Sequence, residues 1–303
     1  MKRINLVLEG SGILGIAYIG AVKYLTERGY VLNRIAATSS GSLFGALLAA
    51  GYTANEMEII TLETNFAHLI GDLNLSLREK IELLIVQNGI YNGDILEAWL
   101  NDLLEAKGIY TFKDLKLKGV VKSYEIMATD VTRGNALVLP QDLKQYNIEP
   151  LSYPVAKGVR MSISIPYFFT PVVLEFNNNI NYISDGGVVY NYPINFFEGI
   201  YNTNYNRIPT IGVRMSPGSI SFKENYDIDV LNYTVQLIGT LSSNSSAPGS
   251  IAKYIDRTIS IPPVGVSPLE FDLTQEDKIR LINSGYNSAK AFIEGYYSKE
   301  ERI

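Results

Sequence analysis

Ile35-Ala36-Ala37-Thr38-Ser39-Ser40-Gly41-Ser42-Leu43-Phe44-Gly45-Ala46-Leu47-Leu48-Ala49-Ala50-Gly51 reads as a short apolar strand, a tight turn through Ser39, and a helix of small and apolar residues. A serine on a sharp strand-to-helix turn is how several hydrolase folds expose a nucleophile, and its neighbours must be small because the turn is strained. The positive end of the helix dipole then lies beside the reacting oxygen. Taken alone, the commoner explanation is a serine N-cap on an ordinary buried helix. Two other stretches change that balance.

The first is Gly10-Ser11-Gly12-Ile13-Leu14-Gly15. It follows an apolar run, Ile4–Glu9, expected to be a buried strand, and precedes Ile16–Gly29, where Ile16, Ile19, Val22 and Leu25 recur at helical spacing. The pattern G-x-G-x-x-G in this context suggests a dinucleotide-binding oxidoreductase, which needs an acidic residue about 20 positions on to hold a ribose. That place holds Ala37-Thr38-Ser39-Ser40, and the nearest acid, Glu27, lies in the expected helix. The other use of such a loop is as an anion cradle, its backbone N–H groups turned toward one oxygen with no side chains in the way. Acyl transfer needs donors of this kind, each worth about 2.7–4 kcal/mol.

The second is Ile183-Ser184-Asp185-Gly186-Gly187, where a carboxylate ends a strand and two glycines follow. Asp-Gly alone is ordinary turn chemistry. The chain, however, carries one histidine, His68, in Asn65-Phe66-Ala67-His68-Leu69, a segment with a structural look. A serine hydrolase here must work without histidine, and a shielded carboxylate in close contact can take the serine proton instead. Asp185 suits that role better than Asp72, Asp94 or Asp130, none of which joins a strand end to a glycine pair.

Together these three pieces resemble the patatin-like phospholipase family, which carries a glycine-rich loop after the first strand, a G-x-S-x-G elbow after the second, and a D-G-G/A far downstream. Val155–Pro166, Asp185–Pro193 and Thr258–Asp272 resemble segments of stand-alone bacterial members, so the likeness spans nearly the whole chain. The resemblance implies that Ser39 is the nucleophile and Asp185 its base, with the oxyanion held by backbone N–H groups of Gly10, Ser11, Gly12 and Ser40. Ala37, Gly41, Gly15, Gly186 and Gly187 would support the elbow and the loops. The implied reaction is hydrolysis of a lipid acyl ester through an acyl-serine, with no metal and no cofactor. The implied fold is α/β, a three-layer α/β/α sandwich with a central mostly parallel sheet. The sequence departs from the family pattern at Ala37, where the elbow has glycine, at Leu14, where the loop usually has Arg or Lys, and at Ser11, which replaces a glycine.

The totals bound the rest. The 303 residues support a large core, and without a repeat or a convincing linker they are expected to form one domain over 1–303. Apolar content of 47% with 19% charge describes a globular chain, and a net charge of −5 with no basic strip gives no support for a nucleic-acid polymer as partner. The absence of cysteine excludes disulfides and thiolate chemistry. Met1–Gly10 is basic then apolar, like a leader, but Glu9 and the glycines cut the run short. No stretch approaches the roughly 20 apolar residues of a membrane span. The expected location is therefore cytoplasmic, with transient contact to a membrane surface carrying a phospholipid or other acyl lipid substrate. Some bacterial members of the family are switched on by a signal, so a small-molecule or protein activator, such as a cyclic nucleotide or host factor, stays open. So does the alternative of a catalytically silent lipid- or partner-binding protein.

Along the rest of the chain, helices are expected over Asn55–Glu63, Leu77–Gln87, Ile95–Glu105 with Asp94 as cap, Val155–Ser164, Asp227–Leu241 and Gln275–Tyr297. Strands are expected over Ser123–Asp130, Ala136–Leu139, Val172–Phe176, Ile180–Ser184, Thr210–Arg214 and Thr258–Ile261, and Ser242–Ser250 reads as a loop. The apolar positions of Phe66–Leu77 fit a core-facing stripe better than a lipid-facing one.

Overall fold

The structure is a computed structural model that describes residues 2–71, 74–199, 208–216, 233–234, 236–237 and 253–300. The loop expected over 242–250 and position 72 lie outside the described residues, as does most of the helix expected over 227–241.

Strand β1 (Lys2–Leu8) is followed by a tight 3-10 turn (Gly12–Ile16) and helix α1 (Ala17–Glu27), then β2 (Tyr30–Thr38) and α2 (Ser40–Ala49). Helices α3 (Ala54–Glu63), α4 (Phe66–Ile70) and α5 (Leu77–Gln87), the short β3 (Gly89–Tyr91), and helices α6 (Asp94–Ala106) and α7 (Phe112–Lys118) come next. Strands β4 (Ser123–Asp130) and β5 (Asn135–Leu139) lead to α8 (Val155–Ser162), β6 (Tyr167–Phe169), β7 (Val172–Phe176) and β8 (Asn179–Asp185). The short helices α9 (Gly187–Tyr190) and α10 (Phe196–Gly199), strands β9 (Thr210–Met215) and β10 (Thr258–Ile261), and the long helix α11 (Gln275–Glu300) complete the described chain.

Local chemistry explains these boundaries. Helices α3, α5 and α7 each begin on a reciprocal capping box, Thr53 with Glu56, Ser76 with Glu79 and Thr111 with Asp114. Asp94 is the first residue of α6 and not its cap: Gly93, at φ 73°, turns the chain, and the Asp94 N–H is taken by the Asn92 side chain at 3.1 Å. The β7–β8 hairpin turns through Asn177 and Asn178, both at positive φ, which asparagine tolerates better than most residues.

The main sheet runs β10-β9-β1-β2-β4-β8-β7, with β5 also paired to β4. Its centre is parallel from β10 to β4, while β5, β8 and β7 join antiparallel. Side chains alternate between two cores, as a pleated strand requires. Leu6, Leu8, Ile35, Ala37, Ile126 and Ala128 enter the large core, and Val7, Ala36 and Met127 a smaller one with Tyr192, Ile194 and Phe197. Both faces of the central strands are covered, which gives the three-layer α/β/α sandwich with a mixed sheet and a parallel centre. The parallel β3–β6 pair forms a separate two-stranded sheet that the sequence reading did not anticipate. Phe66, Leu69 and Ile70 are buried, in keeping with the core-facing reading of that segment.

The register of β4 sets up the site. Along one edge β4 pairs with β2 as far as Thr38↔Met127. The next residue of β4 pairs instead with the end of β8, Ala128↔Asp185. Strand β5 pairs with Ile126–Asp130 of β4 and so occupies the opposite edge. Strand β8 therefore takes the edge that β2 leaves, and the residue after β2, Ser39, meets the last residue of β8, Asp185.

Candidate active site

Ser39 sits between β2 and α2 with φ 50° and ψ −129°, a strained conformation for a residue with a side chain. The surroundings hold it there. Its N–H donates to Ser162 Oγ at 2.8 Å, and the Ser162 hydroxyl donates to the Met127 carbonyl at 2.6 Å. Its carbonyl accepts from the Ser42 hydroxyl at 2.6 Å. Next door, the Thr38 hydroxyl donates to the Tyr190 carbonyl at 2.9 Å.

The Ser39 hydroxyl donates to Asp185 Oδ2 at 2.6 Å. The other carboxylate oxygen accepts from the Gly187 N–H at 2.6 Å. The Asp185 backbone is fixed by its N–H to the Ser164 carbonyl at 2.9 Å and by the Thr129 hydroxyl, which donates to its carbonyl at 2.9 Å. Both Ser39 and Asp185 are buried. Burial pushes the Asp185 carboxyl up from 3.8 to about 7, against the opposing pull of the Ser39 and Gly187 hydrogen bonds. A base at that level ionises near neutrality and still accepts a proton readily.

Gly186 allows this approach. A Cβ there would press into the Met127 carbonyl and come within 2.9 Å of Thr38 Cγ2. Gly41 lies against the ends of β1, and Gly15 faces the Ser40 and Phe44 side chains. Ala37 is buried within β2 and is not among the positive-φ residues, so its methyl costs no backbone strain. Leu14 is wholly buried in the large core. His68 is exposed on α4.

The glycine loop lies over Ser39: a Cβ on Gly10 would come within 2.9 Å of Ser39 Cβ. Its four expected donors are not equivalent. The Gly10 N–H is taken by the Asn191 carbonyl at 3.2 Å, and the Ser11 N–H by Ser40 Oγ at 3.1 Å. Gly12 and Ser40 each open a helical turn, where the first N–H groups have no partner inside the helix. Gly12 also needs to be glycine, with φ +59° and the Pro268 carbonyl where a Cβ would stand. Among the described residues, the N–H groups of Gly12 and Ser40 are the two of the four without such a partner, and both residues line the pocket.

Gly12, Ser39 and Ser40 form the polar part of a pocket whose remaining wall is apolar, including Leu43, Phe66, Leu96, Phe169 and Phe271. Phe66 and Phe271 were not singled out by the sequence, nor was Ser162, although it lies in the quoted Val155–Pro166 segment. Of the other carboxylates, Asp130 accepts the Tyr146 hydroxyl at 2.5 Å and the N–H groups of Thr132 and Arg133, so it serves its own turn. Among the described residues no group of three or more His, Cys, Asp or Glu is placed to hold a metal ion. No helix among them is long and apolar enough to cross a membrane.

The model of the patatin-like phospholipase family matches residues 6–197. Over 294 residues the chain is 34% identical to the uncharacterized protein YqhO of Bacillus subtilis (strain 168), covering 96% of this chain and 98% of that one. It is 29% identical over 203 residues to the probable lipid hydrolase 463L of Invertebrate iridescent virus 6, covering 65% and 64% of the two chains. Among solved structures, VipD from Legionella pneumophila superposes with a TM-score of 0.56 at 18% identity, over 98% of this chain and 67% of that one, a likeness of fold.

Proposed function

The chain belongs to the patatin-like phospholipase family, and from that premise we propose that it is a serine hydrolase of lipid acyl esters, with Ser39 as nucleophile and Asp185 as its base. The observation that carries this reading is the 2.6 Å hydrogen bond from the Ser39 hydroxyl to a buried carboxylate that has no cation beside it among the described residues. In the first step Asp185 Oδ2 takes the hydroxyl proton while Ser39 Oγ attacks the ester carbonyl carbon. The negative charge on the carbonyl oxygen is met by the Gly12 and Ser40 N–H groups, helped by the dipole of α2. Collapse of the tetrahedral species expels the alcohol, which leaves with the proton from Asp185. Water, activated by the same carboxylate, then releases the fatty acid and restores Ser39. The apolar cavity takes the acyl chain during both halves. The name of the viral relative, probable lipid hydrolase 463L, supports the substrate class.

The test is ester hydrolysis by the purified protein on a short chromogenic acyl ester and on mixed phospholipid vesicles, with calcium chelated. The expected result is turnover that survives the chelator and vanishes in Ser39→Ala. Turnover that persists in Ser39→Ala would overturn the assignment.

A further inference from the structure

Ser11 stands where the family loop has glycine, and its side chain is not idle. Ser11 Oγ lies 3.3 Å from Ser40 Oγ and 2.9 Å from the hydroxyl of Tyr18, which in turn lies 3.0 Å from the Glu9 carbonyl. The Ser11 N–H donates back to Ser40 Oγ at 3.1 Å. The Tyr18 hydroxyl is the donor to both of its neighbours, its proton shared between Ser11 Oγ and the Glu9 carbonyl. Ser40 Oγ accepts from the Ser11 N–H, and either hydroxyl can donate in the Ser11–Ser40 contact. The chain links Tyr18, Ser11 and Ser40, and closes a ring with the Ser11 N–H. Tyr18 is buried on α1, so the end of the chain is anchored in the core.

We propose that this hydroxyl chain clamps the glycine loop onto the first turn of α2 and so aims the Gly12 and Ser40 N–H groups at one point above Ser39. In this assignment Ser40 has two separate jobs. Its N–H is a donor to the developing oxyanion, and its side chain is a positioning group for the other donor, Gly12. Tyr18 and Ser11 position through it. The clamp also consumes the Ser11 N–H, which is why that group is not an oxyanion donor. A donor displaced by a fraction of an ångström stabilises the transition state less while leaving ground-state binding almost untouched. This role rests on the hydrolase reading above.

The experiment has one readout independent of catalysis and two that depend on it. Ser40→Ala keeps the backbone N–H and removes the clamp. In the amide hydrogen-exchange profile, the Ser11 N–H is expected to exchange at least about tenfold faster in Ser40→Ala than in the parent, because its acceptor is gone. On the chromogenic ester, kcat is expected to fall by at least about tenfold with KM changed less than about threefold, a part of the 10²–10³ lost when a donor is removed outright. Affinity for a long-chain alkyl trifluoromethyl ketone, which forms a tetrahedral adduct on the serine, should fall in step with kcat/KM. Tyr18→Phe keeps the ring and removes only the oxygen. It should lower kcat by itself but add little to Ser40→Ala, since the chain is then already broken. Unchanged Ser11 exchange in Ser40→Ala, a kcat within twofold of the parent, or fully additive losses would each overturn the clamp. A parent that neither turns over ester nor binds the ketone would overturn the hydrolase reading and the role with it, while the Ser11 exchange would still report whether the chain of hydroxyls exists.

Discussion

Glu9 and Asp185 invite comparison because they share burial and a raised carboxyl but not their partners. Both lie at the end of a strand of the main sheet, both are buried, and burial pushes both up to about 7. Glu9 has a cation. Its Oε1 is 3.1 Å from Arg214 Nη2, and its Oε2 accepts from the Met215 N–H at 3.0 Å. Asp185 has a hydroxyl and a backbone N–H, and no cation within salt-bridge reach among the described residues. The pair teaches that burial alone does not make a base. A buried carboxylate spent on a guanidinium ties β1 to β9. A buried carboxylate with no cation, hydrogen-bonded to a serine hydroxyl, has a proton within reach to take.

The largest effect that sharpens the contrast is Asp185→Asn. Turnover should fall by about 10³-fold or more, in the range seen when a serine hydrolase loses a member of its machinery. Its melting temperature should hold or rise, since no buried charge loses a partner. Near-parental turnover would break the comparison at its centre. Glu9→Gln should do the reverse. It leaves the Arg214 guanidinium, two of whose nitrogens already lack a hydrogen-bond partner among the described residues, buried without an anion. Breaking such a pair costs about 3–5 kcal/mol, which urea unfolding would read, while the folded fraction keeps its kcat within a few-fold.

The third effect is pH dependence. Held at about 7 against an ordinary 3.8, Asp185 keeps its proton in the folded chain where the unfolded chain has released it. Its contribution to stability is whole below pH 3.8 and is lost as pH rises through about 7. Activity runs the other way, and kcat/KM should climb with pH to a plateau above about 7. Glu9 loses stability over the same window, so the parent alone does not separate the two. The difference in unfolding free energy between Asp185→Asn and the parent does, and it should grow in favour of the variant from pH 4 to pH 8. A flat difference would mean that Asp185 is not held up by its site.

Much of this was legible in the sequence, and the reasons for the rest are physical. The strand-turn-helix at Ser39 and the strand end at Asp185 are local patterns, and their elements fall close to where they were expected. What brings the two residues together is not local. Strand β8 occupies the edge of β4 beyond Met127, a register set by pairing between segments more than 50 residues apart. Which N–H groups of the glycine loop already have partners was hidden for the same reason. Gly10 is answered by Asn191, far along the chain, and Ser11 by a side chain on another helix. The three-residue strands β3 and β6 were too short to carry a period, and Phe66 and Phe271 reach the cavity from segments that carry no catalytic motif. The departure at Ala37 looks larger in a motif than in the fold. Ala37→Gly, the smallest effect here, should cost about 1 kcal/mol or less and bring no gain in rate, because β2 never needed a positive φ at that position.

The most direct measurement of the central claim is the rate at which a fluorophosphonate probe labels the protein as pH is varied, with the modified peptide identified. The account predicts one label, on Ser39, at a rate that rises through about pH 7 and collapses in Asp185→Asn. Labelling of Ser39 in Asp185→Asn at the parental rate, or a label on another residue, would contradict it.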